Sequence, residues 1–86
     1  LKPITIEKLE DVKTKSKVEV AGVISKKIVK LTKKKEEFVN FMLEDQTGEI
    51  ECVAFPKTYA QFKSLFIEDN TLFIKGIIER LDADES

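Results

Sequence analysis

The feature that most constrains the fold of this chain is a change in the spacing of its apolar residues at Lys17. Apolar residues recur every three positions from Ile6 to Val12, which predicts one or two helical turns in a polar lead-in over residues 1–16. From Lys17 onward the period becomes two, as in strands that bury one face. Residues 17–86 are therefore predicted to form one mainly β domain.

The alternation predicts four strands, with a helix before the last of them. The first strand is long, over residues 17–31, and residues 37–45 and 49–55 form the second and third around a tight turn. Pro56 suits the first position of a helix, and the fourth strand follows over residues 71–81. The helix carries an apolar stripe that we expect to be buried, made of Tyr59, Phe62, Leu65 and Phe66.

Two strands contain a glycine near the middle, which is unusual because glycine weakens a strand. Gly22 lies in the first strand and Gly76 in the fourth. Long, bent strands are what closed barrels need, so we expect both glycines to mark bends that side-chain bulk would oppose.

The order of elements matches the first four-fifths of an OB-fold, a five-stranded Greek-key barrel with a helix between strands three and four. The sequence stops at Ser86, so we expect the fifth strand to be truncated or absent and the domain to be incomplete at its C-terminus. Strand one would then keep an unpaired edge, open to pairing with another chain.

Composition narrows the range of functions. The 86 residues include one cysteine and no histidine, which excludes an internal disulfide, a cysteine-based zinc cluster and histidine-dependent catalysis within this chain. No glycine-rich phosphate loop, bilayer-spanning apolar run or signal peptide pattern is visible. We expect a binding module with no catalytic residue, metal or cofactor; a hard cation held by Asp45, Glu49 and Glu51 is the weaker enzymatic alternative.

Charge is nearly balanced overall but unevenly placed. The net charge is −1, yet no acid interrupts the lysines between strands one and two. These are Lys26, Lys27, Lys30, Lys33, Lys34 and Lys35. A local positive stretch survives in a neutral protein because salt screens distant charges. The stretch indicates either a loop that contacts phosphates or a solvated loop that keeps the protein soluble.

Five segments resemble a known family. They are Val20-Ala21-Gly22-Val23-Ile24, Leu43-Glu44-Asp45-Gln46-Thr47-Gly48-Glu49-Ile50-Glu51, Val53-Ala54-Phe55-Pro56-Lys57-Thr58-Tyr59, and Ile74-Lys75-Gly76 with Asp69-Asn70 before it. Residues 17–81 are similar to the OB-fold domain near the C-terminus of the bacterial replicative DNA polymerase III alpha subunit. The segment from Phe55 to Tyr59 is the most specific part of the match.

The resemblance implies a non-catalytic module of a cytoplasmic DNA-directed DNA polymerase, a nucleotidyltransferase active in DNA replication. Its implied partner is single-stranded template DNA, bound without base specificity, together with other polymerase domains and replisome subunits. One alternative is a protein-interaction module that docks onto those same domains or subunits. Another is an RNA-binding domain like those of class II aminoacyl-tRNA synthetases, which share the turn over residues 43–48.

The residues themselves indicate where a single strand would bind. OB-folds bind ligands on the outer faces of strands two and three and the adjoining loops, using cations for the backbone and aromatic side chains for the bases. The lysines named above would supply the charge. The outward set of the second and third strands would supply the platform, namely Phe38, Asn40, Met42, Val53 and Phe55. Asn40 departs from related OB domains, which often present an aromatic residue there.

Overall fold

A computed structural model describes residues 3–79 of the chain. A 3-10 helix (Ile6–Asp11) forms where the spacing of three predicts helical turns. The regular elements that follow are β1 (Lys17–Leu31), β2 (Glu37–Asp45), β3 (Gly48–Ala54), α1 (Pro56–Phe62), a 3-10 turn (Lys63–Leu65) and β4 (Thr71–Ile77). The fourth strand is shorter than predicted, and its predicted end at residues 80–81 lies outside the described residues. The mainly β architecture is confirmed.

The four strands form one antiparallel sheet in the order β3-β2-β1-β4, curled into a half-barrel. β1 can serve two partners because it is long and bent: residues 17–23 pair with β4, and residues 23–31 pair with β2. The terminal strands of the sheet are therefore β3 and β4. The expectation of an unpaired edge along β1 is wrong for residues 17–23, which pair with β4, and holds for residues 26–31, which among the described residues pair only with β2.

Gly22 allows β1 to pass close to β2 where the pairing of β1 changes. A Cβ atom at this position would lie 2.7 Å from the carbonyl oxygen of Glu44 and 2.9 Å from Cγ of Leu43. Gly76 differs, since the nearest atom to a Cβ there would be Cγ2 of Ile74 at 3.9 Å. The expectation about side-chain bulk is thus supported at Gly22, whereas a Cβ at Gly76 would make only an ordinary van der Waals contact.

A β-bulge at Ser25 divides β1 into two parts with opposite phase. Ile24 pairs with Leu43, and Lys26 pairs with the next residue of β2, Met42. Because β1 uses one more residue than β2 across this step, the side chains that follow Ser25 change faces. Even-numbered residues face the core before the bulge, and odd-numbered residues face it afterwards.

The core follows the predicted alternation in β2 and β3, and α1 lies against β2. Phe66 joins helix to sheet, with its ring 5.2 Å from that of Phe41 and 5.7 Å from that of Tyr59. Of the apolar stripe, Tyr59 and Phe66 are buried as predicted, whereas Phe62 and Leu65 are exposed. The α-helix ends at Phe62, and the tighter 3-10 turn after it breaks the spacing that would bury both residues. The buried residues are Ile6, Leu9, Val20, Ile24, Val39, Phe41, Leu43, Ala54, Tyr59, Phe66, Leu72 and Ile78.

The N-terminal 3-10 helix is held at the β2–β3 turn by one carboxylate. Oδ2 of Asp45 accepts a hydrogen bond from the Ile6 N–H at 2.9 Å. Oδ1 accepts from Thr47 N–H, Thr47 Oγ1 and Gly48 N–H, which closes the turn without a positive φ at Gly48. These bonds, led by that of the Thr47 hydroxyl, lower the pKa of Asp45.

No helix within residues 3–79 is long and apolar enough to cross a bilayer.

Candidate nucleic-acid interface

The outer face of the sheet places the predicted platform and two of the lysines in ordered rows. Directly paired residues on neighbouring strands share a face, with side chains about 5 Å apart. One row joins Lys30 to Phe38, and the next joins Ile28 to Asn40 and Val53. A third row joins Lys26, Met42 and Glu51. The structure therefore brings together Lys26, Lys30, Phe38, Asn40, Met42 and Val53 as the sequence predicts.

Lys27 does not lie on the outer face with the other predicted nucleic-acid-binding residues. It follows the bulge at Ser25, so it pairs with the buried Phe41 on the opposite face. Its Nζ donates a 2.6 Å hydrogen bond to the carbonyl oxygen of Phe66. Lys27 therefore holds the segment after α1 against β1, and its ammonium group does not face the platform.

The remaining lysines form the tip of the β1–β2 hairpin, which is an ordered turn. Oγ1 of Thr32 accepts from the N–H groups of Lys34 and Glu36 at 3.2 and 3.1 Å, and its carbonyl accepts from Lys35 N–H at 2.8 Å. Lys35 has a φ of 65°, in the left-handed region that favours glycine. Lys33, Lys34 and Lys35 are all exposed there, at the end of β2 where Phe38 lies.

Phe55 extends the platform beyond the end of β3. Its backbone is extended (φ −69°, ψ 165°), and it follows Ala54, which is buried and paired with Val39. Continued alternation puts Phe55 on the outer face, where it is 65% exposed. Phe38 is half-buried on the same face. Two aromatic side chains thus lie near the lysine turn, as the sequence predicts.

Asn40 occupies the middle of the platform with an unsatisfied polar atom. Its Oδ1 is buried and has no hydrogen-bond partner among the described residues. Its cross-strand neighbours on this face are Ile28 and Val53, which are both apolar. A buried acceptor without a partner is unfavourable, so the Asn40 amide is the least satisfied polar group of the platform.

Ile28 is a platform residue that the sequence analysis missed. It is 61% exposed beside Asn40 on the outer face. The signal was present in the irregular stretch Ser25-Lys26-Lys27-Ile28-Val29, where the period of two fails. A bulge at that irregularity moves Ile28 outward and Lys27 inward together.

Acidic residues occupy the other end of the same face. Glu44 and Glu49 pair directly with each other, and Glu51 lies in the row beside them. All three are exposed. The outer face therefore runs from cationic at the β1–β2 turn, through an apolar middle, to acidic at the β2–β3 turn.

The geometry does not support the alternative of a hard cation held by Asp45, Glu49 and Glu51. Both carboxylate oxygens of Asp45 accept hydrogen bonds from N–H or hydroxyl groups. In the part of the chain that the structure describes, no group of three or more Cys, Asp or Glu side chains is arranged to hold a metal ion. The outer face is instead suited to a ligand that offers negative charge together with flat apolar surface.

The fold and this face agree with the family match. A family model described as an OB-fold nucleic acid binding domain matches residues 18–85, and the chain belongs to that family. The prediction of an OB-fold is confirmed.

The chain is also similar to parts of several DNA polymerases. The chain is 40% identical to DNA polymerase III subunit alpha of Aquifex aeolicus (strain VF5) over 74 residues, which are 86% of this chain and 6% of that protein. It is 29% identical to an error-prone DNA polymerase of Cutibacterium acnes over 79 residues, 92% of this chain and 7% of that protein. It is also 29% identical to DNA polymerase III subunit alpha of Buchnera aphidicola over 75 residues, 87% of this chain and 6% of that protein. The chain thus matches only a small part of each relative.

Proposed function

We propose that this chain is a non-catalytic module that binds single-stranded DNA, without base specificity, on the outer face of β1, β2 and β3. The observation that carries the proposal is the row in which Lys30 lies beside Phe38, next to the exposed lysine turn and Phe55. Cations for the phosphates and rings for the bases are the two requirements for holding an unpaired strand.

The charge gradient supports a defined position for the strand. Phosphates are attracted to Lys30 and the lysines of the turn, and are repelled by the acidic pair of Glu44 and Glu49. Lys26 lies farther from the turn, in the row of Glu51. The bound strand would therefore lie over the end of the face nearest the β1–β2 turn. Flat apolar groups contact any base alike, which is why we propose binding without base specificity.

The names of the similar proteins supply the setting. They are DNA polymerases, so we propose that the chain acts in DNA replication as a domain of a cytoplasmic DNA polymerase III alpha subunit. Single-stranded template DNA would be its nucleic-acid partner. Other polymerase domains and replisome subunits would be its protein partners.

A second candidate is protein docking through the same face. Ile28, Val53 and Phe55 are exposed apolar side chains there, and a polymerase domain could cover them. Docking of this kind depends on apolar area, whereas DNA binding depends on the lysines. Charge reversal therefore separates the two functions.

The test uses the double variant Lys33→Glu with Lys34→Glu, titrated with a labelled oligodeoxythymidine at low salt. Both side chains are exposed at the tip of an ordered turn, so we expect an unchanged Tm and an affinity at least about tenfold weaker. The matched control is Lys8→Glu with Lys13→Glu. Those lysines are also exposed; Lys8 lies on the 3-10 helix that is bonded to the β2–β3 turn at the other end of β2, and Lys13 follows that helix.

Equal losses of affinity in the two double variants would mean that only net charge matters, which would contradict the proposed site. An unchanged affinity in the variant at positions 33 and 34 would remove the lysine turn from the interface. A marked preference for structured RNA over oligodeoxythymidine would instead favour the synthetase-like alternative.

A further inference from the structure

The second half of β1 has a free edge that is separate from the gap in the barrel. β4 pairs with β1 only as far as Val23, and the segment before β4 bonds to Ile24 through Asp69 and Asn70. Beyond Ile24, residues 26–31 pair with β2 on one side. Within residues 3–79, no backbone hydrogen bond reaches their other side.

Such an edge can accept another strand. Alternate residues of an antiparallel strand point their N–H and C=O groups away from the existing partner, so half of the groups in residues 26–31 face outward here. A strand that bridged β3 and β4 would close the barrel and would leave this edge open, because these two strands are the ends of the sheet.

The side chains along the edge alternate in chemistry as well as in direction. On the outer face, Lys26 and Lys30 are exposed cations. On the inner face, Val29 is 40% exposed and Leu31 is 61% exposed. An added strand would therefore meet positive charge on one of its faces and apolar surface on the other.

Two lysine hydrogen bonds connect the end of α1 and the segment after it to β1 and β2. Lys27 Nζ bonds to the Phe66 carbonyl at 2.6 Å, and Lys63 Nζ bonds to Glu37 Oε1 at 3.1 Å. Glu37 belongs to β2 and is the cross-strand partner of Leu31, so the stretch from Lys63 to Phe66 is tied to β2 at Glu37 and to β1 at Lys27. The end of α1 and this stretch carry the exposed residues Phe62 and Leu65.

We propose that this edge binds an extended acidic peptide of a partner protein by β-strand addition. Acidic side chains at alternate positions would face Lys26 and Lys30, and the apolar side chains between them would face Val29 and Leu31. A second copy of this chain is the disfavoured occupant, because edge pairing between copies would bring lysines against lysines. Since Lys26 and Lys30 also lie on the proposed DNA-binding face, peptide and DNA would compete.

The test uses the full 86-residue chain and a capped peptide of sequence Val-Glu-Val-Glu-Val-Glu-Val, in the absence of DNA. Amide hydrogen exchange and NMR shifts are expected to report protection of alternate amides in residues 26–31. The matched control peptide has the same composition with its three acids grouped at one end. Weaker binding of the grouped peptide would show that alternation, and not charge alone, is recognised.

Two double variants test which lysines contact the peptide. Lys26→Glu with Lys30→Glu is expected to weaken peptide binding about tenfold, since two attractions become repulsions. Lys33→Glu with Lys34→Glu removes charge from the turn and not from the edge, so peptide binding should stay near its original value. If the unmodified chain binds oligodeoxythymidine but not the alternating peptide, this inference alone is overturned; if it binds the peptide but not oligodeoxythymidine, only the proposed function is overturned.

Three other results would also overturn the inference. The first is equal binding of the two peptides, which would mean attraction by charge alone. The second is protection confined to β3 or β4, which would place the peptide in the barrel gap. The third is protection of residues 26–31 that grows with protein concentration in the absence of peptide, which would identify a second copy as the occupant.

Discussion

Lys30 lies directly opposite Phe38 on the outer face of the sheet, so a cation and an aromatic ring from different strands share one row. The pairing depends on the bulge at Ser25, which turns the even-numbered residues of the second half of β1 outward. A small irregularity in one strand thus brings the charge of β1 beside the aromatic platform of β2 and β3.

Replacing the platform aromatics should weaken DNA binding without unfolding the domain. Phe55→Ala and Phe38→Ala are each expected to cost about 1–3 kcal/mol of binding free energy if a base stacks on the ring. Phe55 is 65% exposed, so its loss should hardly change Tm. Fluorescence anisotropy with labelled oligodeoxythymidine measures the affinity.

The control for the aromatics is Phe73→Ala. Phe73 lies on β4 and is similarly exposed, at 58%. It pairs with Ala21 of β1, away from the lysine turn. Its replacement should leave the affinity unchanged. If Phe73→Ala weakens binding as much as Phe55→Ala, the strand binds elsewhere on the sheet.

The left-handed backbone at Lys35 permits a variant that loses charge without losing stability. Glycine at this position relieves about 1 kcal/mol of backbone strain, which offsets the greater freedom of glycine in the unfolded chain. Lys35→Gly is therefore expected to keep or raise Tm while weakening DNA binding. Thermal unfolding and anisotropy on the same sample check both effects.

Lys15→Gly is the matched control, because Lys15 also has a positive φ, of 73°, and precedes β1 at the end far from the lysine turn. Both glycine variants should behave alike in thermal unfolding, and only Lys35→Gly should bind DNA less tightly. Equal affinities for the two would argue that Lys35 does not contact DNA.

The close approach of β1 to β2 predicts different responses at two glycines. Gly22→Ala forces a Cβ to within 2.7 Å of the Glu44 carbonyl oxygen, so we expect a loss of about 1–3 kcal/mol in the free energy of unfolding. Gly76→Ala meets no such contact and should be neutral or stabilising by up to about 1 kcal/mol. Urea unfolding of both variants measures the difference, and equal losses would contradict the packing described at Gly22.

Asp45 makes the anchoring of the N-terminal helix dependent on pH. Its pKa is lowered in the folded state by hydrogen bonds, chiefly from the Thr47 hydroxyl and the Ile6 N–H. A carboxylate with a lowered pKa stabilises the fold above its ordinary value of 3.8, and the effect is lost as pH falls through the folded value. The Tm of Asp45→Asn should thus lie below that of the parent at neutral pH, and the difference should shrink as the pH falls below 3.8 and through the lowered pKa of the folded state. A difference in Tm that stays constant with pH would contradict this role.

The orientation of side chains could be predicted from the sequence where a strand keeps one period, and not where the period changes within a strand. The alternation in β2 and β3 correctly placed Phe38, Asn40 and Val53 outward, because each strand keeps one phase along its length. Lys27 was misplaced because the failed period of two over residues 25–29 signals an irregularity but does not show which residue is the bulge.

Two further features depend on three-dimensional arrangement and could not be read from the sequence. The exposure of Phe62 and Leu65 follows from the early end of α1, which the aromatic spacing does not reveal. The place of β1 between β2 and β4 depends on how a long strand divides its pairing, which no local pattern encodes.

The salt dependence of oligodeoxythymidine binding by the unmodified chain shows whether the outer face of the sheet holds phosphates. Each phosphate neutralised on a single strand contributes about −0.7 to the slope of log affinity against log salt concentration. Contact of three phosphates with the lysine turn and the outer row predicts a slope of about −2, which becomes shallower when Lys33 and Lys34 are replaced by glutamate. A slope near zero would contradict the account, because it would mean that the outer face binds through apolar contact and not through phosphates.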